Sequence, residues 1–168
     1  MAAATAHSPA PAHVVEGEIS ARGRRVAIAA ARFNDFIVSS LLEGATSAWR
    51  AHGGAIDDLL IARVPGAFEL PVAARKLAIS GRYEAVVALG CLIRGDTPHF
   101  EYVAGECSRG LMLASLETGV PVIFGVLTVN TTEQALERAA INGMNKGGES
   151  LETALEMISL FHRLEQRV

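Results

Sequence analysis

Continuous apolar runs alternate along this chain with stretches whose apolar residues recur at helical spacing. Val26–Ala31 reads as a short strand with no polar position. Ile37, Val38, Leu41, Leu42, Ala45, Ala48 and Trp49 then share one helical face. Asn34 or Asp35 can cap that helix, and Gly53-Gly54 stops it. Leu59–Val64 is the next strand. Pro71 can open a helix and Gly81 can close it. Ala85–Leu92 is a third strand, again without polar alternation, so both its faces are expected to be covered. Thr97-Pro98 opens a helix reaching about Glu117, ended by Gly119. Pro121–Leu127 is the fourth strand. Asn130-Thr131-Thr132 caps a helix from about Glu133 to Ala140, and an amphipathic helix closes the chain from about Glu149 to Arg163.

Strand–helix alternation with mostly apolar strands predicts a mainly parallel, four-stranded sheet with helices on both faces. Val14–Ile19 is expected to add an N-terminal edge strand, or to pair with another subunit. Residues 1–13, rich in Ala, Pro and His, read as a flexible tail, and residues 14–168 as a single domain. No internal repeat is visible.

Composition narrows the function classes. The chain has 168 residues, of which 28 are alanine and only nine aromatic, so its core is built from small aliphatics. Charged residues make up 20%, below the usual share of about 25%. A chain this short and apolar is expected to hide surface in an oligomer. A net charge of −3 argues against a nucleic-acid partner. The longest apolar runs are too short to span a membrane, and residues 1–15 lack the pattern of a signal peptide. Cys91 and Cys107 form no CxxC pair and read as inert buried thiols in a reducing cytoplasm.

In an open α/β sheet ligands bind beyond the carboxyl ends of the strands. After the first strand comes Phe33, which either packs beneath its own loop or offers a flat surface to a ring, with Asn34 beside it. After the second come Pro65-Gly66, a turn signal, then Ala67, Phe68 and Glu69. These form either a plain turn with a helix-starting carboxylate, or a rim of polar groups able to read a pyrimidine edge. After the third comes Arg94-Gly95-Asp96-Thr97-Pro98-His99. Here Gly95 permits a sharp turn, and N–H groups at a helix start favour an anion. Asp96 suits an anion only if it points away. His99 is the one histidine at a strand end, where an imidazole can exchange a proton near neutral pH. After the fourth strand lie Arg138, Lys146 and Glu149. Arg138 is either a phosphate clamp or half of a surface ion pair. Phe124 falls inside the strand, where core packing is the default. No metal cluster, nucleophile–base pair or dinucleotide fingerprint is present in the sequence. The set suits condensation of a planar heterocycle with a small phosphorylated compound.

The blocks ARFNDFI (31–37), VPGAFELP (64–71), GCLIRGDTPHFEYV (90–103), FGVLT (124–128), EQALERA (133–139) and NKGGE (145–149) closely resemble the lumazine synthase (6,7-dimethyl-8-ribityllumazine synthase) family. The resemblance spans about Val14 to Leu164. It implies a flavodoxin-like α/β/α sandwich. It also implies a cytoplasmic transferase of riboflavin biosynthesis that joins 5-amino-6-(D-ribitylamino)uracil to 3,4-dihydroxy-2-butanone 4-phosphate, without cofactor or metal. Carried over, Phe33 would stack on the pyrimidine with Asn34 beside it. Ala67, Phe68 and Glu69 would line the pocket, Glu69 towards the ribityl chain. His99 would transfer the proton. Gly95, Asp96, Thr97 and Arg138 would hold the phosphate. Phe124 would reach the ring from a neighbouring subunit, with Lys146 nearby. The family assembles as pentamers, in some members as twelve pentamers closing an icosahedral shell, with sites between subunits. Riboflavin synthase is a candidate partner. Asn130 stands where the family often has Asp, Asp96 where Glu is common, and Ala140-Ile141 replaces a Gly-containing link. Two other readings stay open: a shell that binds lumazine or flavin without turnover, and a phosphate-binding module sharing only the fold.

Overall fold

A computed structural model describes residues 13–167, so the expected tail lies, apart from His13, outside the described residues. Four strands, β1 (Val26–Ala31), β2 (Leu59–Val64), β3 (Ala85–Ile93) and β4 (Val122–Val129), form one parallel sheet in the order β2-β1-β3-β4. Five helices separate and follow them: α1 (Asp35–Ala51), α2 (Leu70–Ala78), α3 (His99–Thr118), α4 (Thr132–Ala139) and α5 (Lys146–Glu165). Short 3₁₀ turns at Ile56–Asp58 and Ala67–Glu69 lead into β2 and α2. No described helix is long and apolar enough to cross a membrane.

The three layers follow from the strands. Every residue of β1 is buried, as are the first seven of β3. Successive strand residues point to opposite faces, so both faces needed cover. Val26, Ile28 and Ala30 share a core with Trp49, Leu41, Leu151 and Leu155 of α1 and α5. Ala29, Ala31, Val86 and Ala88 share the other with Leu70, Ala74, Cys107 and Leu111 of α2 and α3. The predicted helices and strands all form, with ends shifted by a few residues. The α5 helix starts earliest against expectation, because Asn145 in the left-handed region (φ 44°) caps it through Oδ1, which accepts from Gly148 N at 3.1 Å.

The expected edge strand is the exception: Val14–Ile19 forms no strand in this chain. The segment is tied to α5 instead. Arg163 donates to the Glu16 carbonyl at 2.9 Å and pairs with Glu18. Gly17 presses against the α5 backbone at Glu156. Held there, it leaves both edge strands, β2 and β4, without a further strand beside them among the described residues.

Two glycines let α1 and α5 meet at backbone distance. A Cβ on Gly147 would stand 1.9 Å from the Leu41 carbonyl oxygen, and one on Gly44 would stand 2.2 Å from Asn145 Oδ1. Leu41 can yield only by moving its helix. Gly147→Ala is therefore expected to destabilise the fold by about 1–3 kcal/mol, the usual cost of overpacking, despite alanine's better helix propensity. Thermal unfolding checks this; a midpoint equal to or above that of the parent would contradict the close crossing.

Candidate active site

The chain turns back between β2 and β3, crossing β1 in the sheet order. The loops after β1 and β3 therefore diverge at their carboxyl ends, the place where such sheets leave a crevice. Backbone bonds carry the β1–β2 ladder into these loops. Arg32 N donates to the Val64 carbonyl at 2.8 Å and Phe33 N to the Pro65 carbonyl at 3.0 Å. Asn34 then adopts the left-handed conformation (φ 57°), a region that asparagine tolerates, and its Nδ2 donates to the Cys91 carbonyl at 2.9 Å. One residue so fastens the β1 loop to β3 and begins α1.

These ties gather Phe33, Asn34, Ala67, Phe68, Glu69, Gly95, Thr97 and His99 around one cleft of about 680 Å³. Phe33 is 67% exposed and Phe68 is 60% exposed. Neither ring packs into the core, which removes the reading of Phe33 as a residue packed beneath its loop. His99 is the first residue of α3, behind Pro98. The N–H groups of Gly95, Asp96, Thr97, His99 and Phe100 meet no backbone acceptor among the described residues, as expected at a helix start. Gly95 and Thr97 line the cleft and Asp96 does not. Tyr102 and Val103 also line it, as do Phe100 and the end of β3 at Cys91–Ile93. The sequence reading gave these no role, yet Tyr102 and Val103 stand three and four positions after His99, on the same helical face.

Arg94 follows β3 directly. Its Nε donates to Asn130 Oδ1 at 3.0 Å, a terminal nitrogen pairs with Glu101, and the guanidinium lies 4.3 Å from the Phe100 ring centre. The hydrogen bond from Arg94 is the main cause holding the Glu101 carboxyl below its ordinary pKa.

Phe124, Arg138 and Lys146 lie elsewhere. They line a second cleft of about 310 Å³ with Glu149 and Ser150. Phe124 sits on edge strand β4 and is 43% exposed, so core packing does not hold it. Arg138 donates to the Gln134 carbonyl at 3.1 Å and stands 3.9 Å from Glu137. Lys146 Nζ pairs with Glu149 at 2.6 Å. Within one chain, then, Arg138 and the Gly95–Thr97 turn line different clefts. Among the described residues no group of three or more His, Cys, Asp and Glu side chains is placed to hold a metal ion.

The sequence matches a family model described as 6,7-dimethyl-8-ribityllumazine synthase over residues 23–162. Curated proteins of that same name are similar along nearly their whole length. That of Syntrophus aciditrophicus (strain SB) is 54% identical over 151 residues, covering 90% of this chain and 98% of the relative. That of Chlorobium chlorochromatii (strain CaD3) is 50% identical over 150 residues, 89% and 97% of the two chains. That of Chlorobium luteolum (strain DSM 273 / BCRC 81028 / 2530) is 51% identical with the same coverage.

Cys91 and Cys107 are free, buried thiols, and burial pushes each up to about 11 from an ordinary 9.0. Neither is expected to react with a thiol reagent at pH 8 until denaturant opens the fold; rapid labelling of the native protein would contradict this. The unfolded thiols ionise near pH 9 while the folded ones stay protonated. Stability from this source is therefore complete below pH 9 and falls as pH rises towards 11, a loss that thermal midpoints across that range would record.

Proposed function

The chain belongs to the 6,7-dimethyl-8-ribityllumazine synthase family, and from that premise we propose that its two clefts are complementary halves of one active site, completed between subunits. It is a transferase of riboflavin biosynthesis, and its reaction condenses 5-amino-6-(D-ribitylamino)uracil with 3,4-dihydroxy-2-butanone 4-phosphate. The observation that carries the shared site is the split itself. One cleft has the aromatic rim, the N–H turn and His99, while the other has Phe124, Arg138 and Lys146. Among the described residues, the first cleft is lined by no lysine or arginine, and the second by no histidine.

In this reading Phe33 stacks on the pyrimidine, with Asn34, Ala67 and Phe68 around it, and Glu69 accepts hydrogen bonds from the ribityl hydroxyls. The unpaired N–H groups of the Gly95–Thr97 turn hold the phosphate, helped by the positive end of α3, with Asp96 turned outward. A neighbour's Arg138 supplies a planar fork for two phosphate oxygens, and its Phe124 and Lys146 close over the ring. The uracil's 5-amino group attacks the ketone, and loss of water gives an imine. Loss of the C3 proton and of the C4 phosphate leaves an enol, which tautomerises to a new ketone at C3. Attack there by the ribitylamino nitrogen, with loss of another water, closes the ring. His99 moves protons among these steps. The rest is register: two substrates held together react as one.

Assembly as a pentamer, or as twelve pentamers, has support in the surface. Val72, Tyr102, Met112 and Leu116 expose 61–72% of their area along α2 and α3, more apolar surface than a lone chain favours in water. The proposal includes a cytoplasmic location, one domain over residues 14–168 and riboflavin synthase as a partner.

Purified protein mixed with both substrates is expected to raise lumazine absorbance well above the slow uncatalysed rate; no gain would overturn the reading. His99→Ala is expected to slow turnover about a hundredfold, the lower range for general acid–base groups, with native mass unchanged. Subunits carrying His99→Ala and subunits carrying Arg138→Ala should each be nearly inactive. Dissociated and reassembled together in equal amounts, they should regain about a quarter of parental activity, because random neighbours rebuild some intact sites. Absence of any recovery in verified mixed oligomers would place both residues in one subunit's site.

A further inference from the structure

Arg94 does not line the cleft, yet it meets four groups at once. Its N–H donates to the Val129 carbonyl at 2.9 Å, one step beyond β4's pairing with β3. Its side chain binds Asn130, pairs with Glu101 and lies over Phe100. Between Arg94 and Glu101 runs the turn that ends in His99. That turn has few ties of its own: its N–H groups lack backbone acceptors, and a Cβ on Gly95 would meet nothing within 4 Å. One side chain therefore holds both ends of a loosely packed loop. Through Asn130 the same side chain reaches the segment leading into α4, the helix that carries Arg138.

The Arg94–Glu101 pair is about half exposed, at 44% and 53%, and a pair so exposed adds little to global stability. Geometry is the better account of it. A guanidinium can donate along two edges while its face rests on a ring; a lysine ammonium cannot do all three.

We infer that Arg94 is a positioning residue, setting the Gly95–Pro98 turn and His99 for the phosphorylated substrate without touching it. This rests on the reading of the cleft given above. It acts on one substrate more than the other, because the pyrimidine rim is built by the β1 and β2 loops, which Arg94 does not contact.

Steady-state kinetics with each substrate varied, on the assembled parent, Arg94→Ala, Arg94→Lys and Glu101→Gln, test the inference. Arg94→Ala is expected to raise KM for the butanone phosphate about tenfold, a typical penalty for modest misplacement, with KM for the pyrimidine nearly unchanged. Inorganic phosphate, used as a competitive inhibitor, should lose affinity by a similar factor. Arg94→Lys should not restore the parent value, and Glu101→Gln should fall between. Thermal midpoint and native mass should stay at parental values. Unchanged kinetics in Arg94→Ala, equal losses for both substrates with a lower midpoint, or full rescue by lysine would each overturn the role. If Arg94→Ala does not fold, Glu101→Gln decides: a parental KM for the butanone phosphate overturns it. A parent without synthase activity would instead sink the enzyme reading. Calorimetric binding of inorganic phosphate to parent and Arg94→Ala would then still judge Arg94, equal affinities counting against it.

Discussion

All six residues of β1 are shut off from water, and much of the molecule follows from that. A strand apolar on both faces cannot lie at a surface, so helices must cover it twice. Alanines at 27, 29, 30 and 31 keep those helices close, and glycines at the α1–α5 crossing take the approach down to backbone contact. With both faces sealed, only the strand ends remain open. The cleft with Phe33, Glu69 and His99 is thereby set at the sheet's carboxyl edge, while edge strand β4 leaves Phe124 open to the second cleft.

Those loops are fastened by few, specific bonds. The β1–β2 ladder runs on through Arg32 and Phe33, and Asn34 ties the loop to the Cys91 carbonyl. Such ties let Phe33 and Phe68 stand exposed without collapsing into the core. An exposed aromatic rim costs solvation in the free chain, and a planar ligand or a neighbouring subunit would offset it. The turn before His99 is anchored from its flanks by Arg94, which leaves its N–H groups unengaged and available to an anion.

Much of this was legible beforehand because the pattern is strong. The bounds of β1 and β2 match to the residue, since β1 is apolar throughout, β2 is interrupted only by Arg63, and their flanks are polar or glycine-containing. The strand-end rule points to Phe33, Glu69 and His99, and all three line one cleft. Other features were hidden for physical reasons. Arg94 looked like any loop cation, because its partners Glu101 and Asn130 are 7 and 36 positions away. Val14–Ile19 alternates like a strand, but its side-chain and backbone contacts to α5 fix its place instead.

The sequence by itself determined the layered α/β fold, the loops that bear the chemistry and, through its motifs, the family. These are properties of local periodicity and of residue type, which one chain carries along its length. Only the tertiary structure decided that Arg138 and Phe124 stand in a different cleft from His99. Sheet order and helix packing set that separation, and neither is written in the spacing of residues. Both depend on which apolar faces bury one another.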